Sequence, residues 1–129
     1  MEKYKILLVD DDPFILQSIA VALEQEGYHV TSAADGKQAV ELIEENSFDL
    51  VLTDLVMDPV DGIGVLKKAK EKDPEIVVII LTGFGDLISA IEALRLDADD
   101  YLLKPCEPEE LSFRISSCLE KSELKRKIK

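Results

Sequence analysis

The stretch Ile6-Leu7-Leu8-Val9-Asp10-Asp11-Asp12-Pro13 joins four consecutive apolar residues to three carboxylates and a proline. A short apolar run without alternation is what a strand looks like when both of its faces are covered. Proline suits a first helical turn, where its missing N–H is one of the unpaired donors anyway, and Asp12 is a natural N-cap. The helix that follows carries Ile15, Ile19, Ala22 and Leu23 at helical spacing, with Phe14 beside them, and ends at Gly27.

The same unit recurs outward from this stretch. Apolar runs stand at 29–33 (the weakest), 50–53, 76–81 and 101–103. Between and after them, helical patterns run from Asp35-Gly36, from Gly62 to Lys72, from Asp86 to Leu96, and from Pro108 to about Leu119 or beyond. Strand and helix alternate five times, so the expected fold is α/β: a five-stranded parallel sheet with five helices on its two faces. Crossovers in such sheets are right-handed. Five units of this length fit the doubly wound, flavodoxin-like order 2-1-3-4-5, whose cleft lies at the carboxyl ends of strands 1 and 3.

Composition narrows the function. The chain has 129 residues, 47% of them apolar, which suits one domain with a real core. No apolar run approaches the length of a membrane span, and the first residues lack a secretory leader, so a cytoplasmic location is expected. The net charge is −12, and the basic residues gather at the end, where 121–129 reads KSELKRKIK. We therefore expect a domain over 1–120 and a basic helical extension or linker over 121–129. An acidic domain surface repels phosphate backbones, so direct nucleic-acid binding is not expected. Cys106 and Cys118 have no metal-ligand spacing and read as small apolar residues. His29, in a strand-like stretch without a carboxylate partner, reads as edge packing.

The polar residues that matter fall at strand ends. Asp10, Asp11 and Asp12 follow strand 1, Asp54 follows strand 3, Thr82 ends strand 4, and Lys104 follows strand 5. Parallel strands bring all these ends to one edge, so residues that span 95 positions of the sequence converge. Clustered carboxylates repel one another and recruit a cation. Carboxylates, a carbonyl oxygen and water are the ligand set of Mg2+. A carboxylate beside a hard divalent ion can attack phosphorus to give an aspartyl phosphate. Lysine and a hydroxyl then supply counter-charge and hydrogen bonds to the new dianion. Singly, each residue has a plainer reading: Asp12 as a helix cap, Thr82 as a strand-end hydroxyl, Lys104 as a solvated charge, Gly62 and Gly83 as turn residues.

Leu8-Val9-Asp10-Asp11-Asp12-Pro13, Asp54-Leu55-Val56-Met57, Asp61-Gly62, Leu81-Thr82-Gly83 and Lys104-Pro105 resemble, in order and spacing, the receiver domain of bacterial two-component response regulators. The resemblance runs from about residue 4 to 120. It implies that Asp54 accepts a phosphoryl group from a histidine kinase or phosphotransfer protein. It implies Mg2+ held by Asp11, Asp54 and the backbone carbonyl of Val56, with Asp10 acting through water. Thr82 and Tyr101 look like the family's switch pair and Lys104 like its phosphate-binding lysine. Val56 and Phe84 stand at the positions that flank the approach of water to the phosphoryl group. Both are apolar, which implies a long-lived phosphorylated state. Where the family commonly has glycine after the fourth helix, this chain has Asp97, a residue that tolerates a left-handed cap.

Two rivals are weaker. A haloacid-dehalogenase-like phosphatase would use the aspartate pair after strand 1, but it needs a later acidic pair and leaves Asp54 without a role. A receiver fold used only as an unphosphorylated interaction module typically loses the acceptor, the acidic pair or the lysine, and all are present. The expected role is thus a switch rather than an enzyme. Its partner surface, and a candidate homodimer face, is the fourth helix, fifth strand and fifth helix, with Ile88, Leu96 and Phe113 pointing away from the core. No output domain follows residue 120, so the chain is expected either to stand alone or to lack a downstream domain.

Overall fold

A computed structural model of the chain describes residues 3–57, 59–83 and 87–128. The elements are β1 (Lys5–Val9), α1 (Pro13–Gln25), β2 (His29–Ala33), α2 (Gly36–Glu45), β3 (Leu50–Asp54), α3 (Gly62–Lys72), β4 (Val77–Thr82), α4 (Leu87–Arg95), β5 (Asp100–Leu103) and α5 (Pro108–Ile128). All strand pairs are parallel, in the order β2-β1-β3-β4-β5. The expected order is thus observed; the strand bounds lie within a residue or two of the sequence reading, and α5 runs on to Ile128.

Unbroken apolar runs have their cause in two separate cores. Leu7 and Val9 of β1, Val51 of β3, and Val78 and Ile80 of β4 face α2, α3 and α4. Their neighbours Ile6 and Leu8, Leu50 and Leu52, and Val77, Ile79 and Leu81 face α1 and α5. Each strand residue points opposite to the next, so both registers must be apolar when helices cover both faces. His29 lies exposed on edge strand β2.

The cap expected for α1 is observed. Asp12 caps α1, its carboxylate accepting from the amides of Phe14 (2.9 Å) and Ile15 (3.4 Å). Asp35 and Asp61 cap α2 and α3 in the same way. Helix α4 ends in a Schellman turn: Ala98 donates to the Ala93 carbonyl, Asp97 to that of Leu94, and Asp97 sits at φ 75°. The missing glycine is thus replaced by an aspartate that does adopt the left-handed conformation.

This turn overturns one expectation. Leu96 does not point away from the domain; it packs, partly buried, against the core on the α2, α3 and α4 side. Helical extrapolation fails for it because α4 ends at Arg95 and the chain is already turning toward β5. The residues of α4 in the core are Ala90 and Ala93, small enough to bring the helix close to the sheet, while Ile91 and Leu94 are exposed. Residues 121–126 continue α5, and they reach back to the domain. Arg126 pairs with Asp73 (3.3 Å) and Glu75 (3.5 Å), Ser122 Oγ meets the Glu75 carbonyl (3.4 Å), and Tyr4 donates to Glu123. No described helix is long and apolar enough to cross a membrane.

Candidate functional site

The carboxyl ends of β1, β3, β4 and β5 share one edge of the sheet. Backbone bonds tie neighbouring ends there: Asp10 donates to the carbonyl of Ala33, the last residue of β2, and Lys104 to the Thr82 carbonyl (2.7 Å). Asp10 and Asp54 are buried, 1% and 8% exposed, while Asp11 lies at the surface. Asp10, Asp11 and Asp54 each bring a carboxylate oxygen within 4.8 Å of the others'. The Lys104 ammonium bridges the two buried ones, 2.8 Å from Asp10 Oδ2 and 3.3 Å from Asp54 Oδ2.

Two backbone amides orient these carboxylates. Asp12 N–H donates to Asp10 Oδ1 (2.9 Å), and Leu55 N–H to Asp54 Oδ1 (2.8 Å). That leaves the Oδ2 atoms facing the cluster. Beyond the Lys104 ammonium, Asp10 Oδ2 accepts no hydrogen bond from the described residues. Burial raises the pKa of Asp54; Lys104 opposes that rise and the nearby Asp10 charge adds to it. Burial also works against the Lys104 ammonium, but the two carboxylates outweigh it and raise its pKa, so it stays charged. Three clustered carboxylates, two of them bridged by one lysine, leave a net negative pocket with an underused buried oxygen. Such an all-oxygen donor set fits a hard divalent cation and not a soft metal.

Thr82 is fully buried at the end of β4, one residue past Leu81, the register partner of Asp54. Tyr101, opposite Ile80 on β5, is half-buried against the core on the α4 side. Val56 is 60% exposed, two residues past the end of β3. Ile88 and Phe113 are 84% and 65% exposed, on α4 and α5, well away from the carboxylates in sequence. Phe84 lies outside the described residues.

One contributor escaped the sequence reading. Gly62 reads there as a turn residue, yet a Cβ on it would lie 2.3 Å from the Asp54 carbonyl oxygen and 2.8 Å from Leu55 Cα. Its amide donates to the Leu55 carbonyl (2.8 Å). Only the distance between α3 and the end of β3 reveals this; the Asp61-Gly62 pair by itself is indistinguishable from a helix cap.

A sequence profile described as the response regulator receiver domain matches residues 6–116. The chain belongs to the response regulator receiver family. Among curated relatives, this receiver domain is 38% identical over 120 residues to a probable transcriptional regulator, ycf27, of Guillardia theta, covering 93% of this chain and 47% of that one. It is 41% identical over 118 residues to the transcriptional regulatory protein ZraR of Klebsiella oxytoca, covering 92% of this chain and 27% of that one. The receiver domain therefore spans about half or less of these relatives. Among solved structures, a CheY-like response regulator receiver domain protein from Methanospirillum hungatei matches with a TM-score of 0.92 at 35% identity, covering 96% of this chain and 99% of that one. The phosphatase reading falls to this match, and Asp54 takes its place inside the acidic cluster.

Proposed function

We propose that the receiver domain is a phosphorylation-dependent switch in which Asp54 accepts a phosphoryl group from a histidine kinase or phosphotransfer protein, with Mg2+ bound. The observation that carries this reading is the convergence of Asp10, Asp11 and Asp54 on one sheet edge with Lys104 bridging the two buried carboxylates. Asp11, Asp54 and the Val56 carbonyl would hold the ion, with Asp10 acting through water. When bound, the ion would supply neutralisation of the negative charge gathered at the site.

The chain's own residues do the rest. An Asp54 carboxylate oxygen attacks phosphorus and the P–N bond to the donor imidazole breaks; its electron pair returns to that ring nitrogen, and the imidazole leaves neutral, keeping the proton already on its other nitrogen. Asp54 is held for this by the Leu55 amide, which leaves its other oxygen toward the cluster. Lys104 meets the phosphoryl oxygens and gives up part of its bond to Asp54. Thr82 turns its hydroxyl to the new dianion, and Tyr101 follows into the space on the α4 side. The face of α4, β5 and α5, with Ile88 and Phe113, then meets a partner or a second copy. The domain acts as a cytoplasmic switch rather than an enzyme, does not contact nucleic acid itself, and passes its state to a partner protein or to an output domain.

Incubation with Mg2+ and a small acyl phosphate, followed by peptide mass mapping, tests the acceptor. Label is expected on Asp54 and lost in Asp54→Asn; label elsewhere, or undiminished label in the variant, would reject the assignment. The same samples report lifetime. Val56→Asn with Phe84→Glu supplies polar groups that orient water, so its label is expected to decay faster than the parent's.

A further inference from the structure

The chain between Asp54 and α3 is wedged by glycines from two helices. A Cβ on Gly36, the first residue of α2, would lie 1.9 Å from the Val60 carbonyl oxygen, 2.7 Å from its carbonyl carbon and 2.9 Å from Val60 Cβ. A Cβ on Gly64, in the first turn of α3, would lie 2.7 Å from Val60 Cγ1. Val60 is therefore held on two sides with no room for a methyl group on either. Two residues later, Gly62 touches the Asp54 carbonyl and Leu55 Cα. A line of close contact thus runs from Gly36 through Val60 and Gly62 to the backbone of Asp54.

The α2 end of this line is itself fixed. Asp35 accepts from the Gln38 amide (2.8 Å), and the Gln38 side chain accepts from the Ala34 amide (2.9 Å), a reciprocal cap that pins the start of the helix. The contact at Gly36 is with backbone atoms, which cannot rotate out of the way as a side-chain tip can. Close-packed backbone transmits a displacement instead of absorbing it.

We propose that Gly36 is a positioning residue for the phosphoacceptor site: through Val60 and Gly62 it sets where the Asp54 backbone, and with it the metal-binding carboxylate, sits. The inference rests on the metal reading above. A side chain at position 36 pushes Val60, moves the Gly62 contact and spoils the carboxylate geometry, although residue 36 touches neither the ion nor the phosphoryl group.

Calorimetric titration of the whole chain with Mg2+, below the melting temperature of every variant, tests this. Gly36→Ala is expected to weaken Mg2+ binding about tenfold, the scale seen when support behind metal ligands is disturbed. Gly27→Ala is the comparison. Gly27 has φ +98° and nothing within 4 Å of a would-be Cβ, so alanine there strains the backbone without pushing on the site. That variant should melt lower and bind Mg2+ like the parent. Parental affinity in Gly36→Ala, or equal weakening in both variants, would overturn the proposal. Should Gly36→Ala fail to fold, Gly64→Ala presses on Val60 through a methyl alone. It should weaken binding, and adding Val60→Ala should restore it; no change in Gly64→Ala would overturn the proposal as well. A parent that itself binds no Mg2+ would overturn the metal reading, and this inference with it, and is recognised because every chain then fails alike.

Discussion

Asp54 is asked to be buried and ionised at once. Burial favours its neutral form, the adjacent Asp10 adds to that preference, and Lys104 offsets it only in part, so its folded pKa lies above the ordinary value of 3.8. A carboxyl with a raised folded pKa binds its proton more tightly in the native state than in the unfolded one. Its stabilising contribution is complete below pH 3.8 and is lost as pH rises through the raised folded value. In chelator, Asp54→Asn lacks this loss, so its melting temperature relative to the parent should climb with pH over that window and then level off. Lys104 keeps its contact with Asp10 in the variant, which makes the comparison fair. Saturating Mg2+ should shrink the difference by stabilising the ionised parent. A difference independent of pH would show that Asp54 is not strained by its surroundings.

Among the elements, α5 departs most from its sequence reading. Its first half presents Leu111, Ile115 and Leu119 to the core, and Arg114 pairs with Asp100 of β5 (2.8 Å). Beyond Glu120 the apolar stripe stops and the charge reverses, which by sequence alone signals a segment leaving the domain. Instead Ser122, Glu123 and Arg126 reach Glu75, Tyr4 and Asp73, at the edge opposite the acidic site. These are exposed or partly buried polar contacts, each worth about 1 kcal/mol at most. A chain ending at Glu120 should lose on the order of 1 kcal/mol of stability in urea unfolding. Part of that loss should vanish in high salt, where the Arg126 pairs are screened. An unchanged midpoint would show that the extension contributes nothing to the fold.

At the scale of the molecule, charge and apolar surface divide the labour. The acidic net charge keeps copies apart and makes one edge a cation trap. Against that background, Ile88, Ile91 and Leu94 of α4, Leu103 of β5, and Phe113 and Leu124 of α5 are exposed large apolar side chains. Scattered apolar residues are ordinary, whereas a contiguous patch marks a partner face. Under the switch reading, sedimentation should show more self-association after acyl phosphate treatment than before. Phe113→Glu and Ile88→Lys should each remove the increase while leaving Asp54 labelled. Identical sedimentation with and without phosphorylation would exclude the homodimer.

Sequence by itself determined the alternation of strand and helix, the parallel sheet, and the convergence of Asp10, Asp11, Asp54, Thr82 and Lys104. Each of these follows from local periodicity and from a rule of chain connection: parallel strands end on the same edge. The helix cap at Asp12 was equally legible, because a cap is a contact between residues two or three apart; the capping roles of Asp35 and Asp61 came from the structure. What only the tertiary structure decided are contacts between segments far apart in sequence. Leu96 turns inward because α4 ends one residue earlier, and the extension of α5 docks because Asp73 and Glu75 of another segment wait for it. Gly36 meets Val60 because two helices happen to lie side by side. Such distances depend on how elements pack, and packing is a property of the whole core, which no stretch of sequence states by itself.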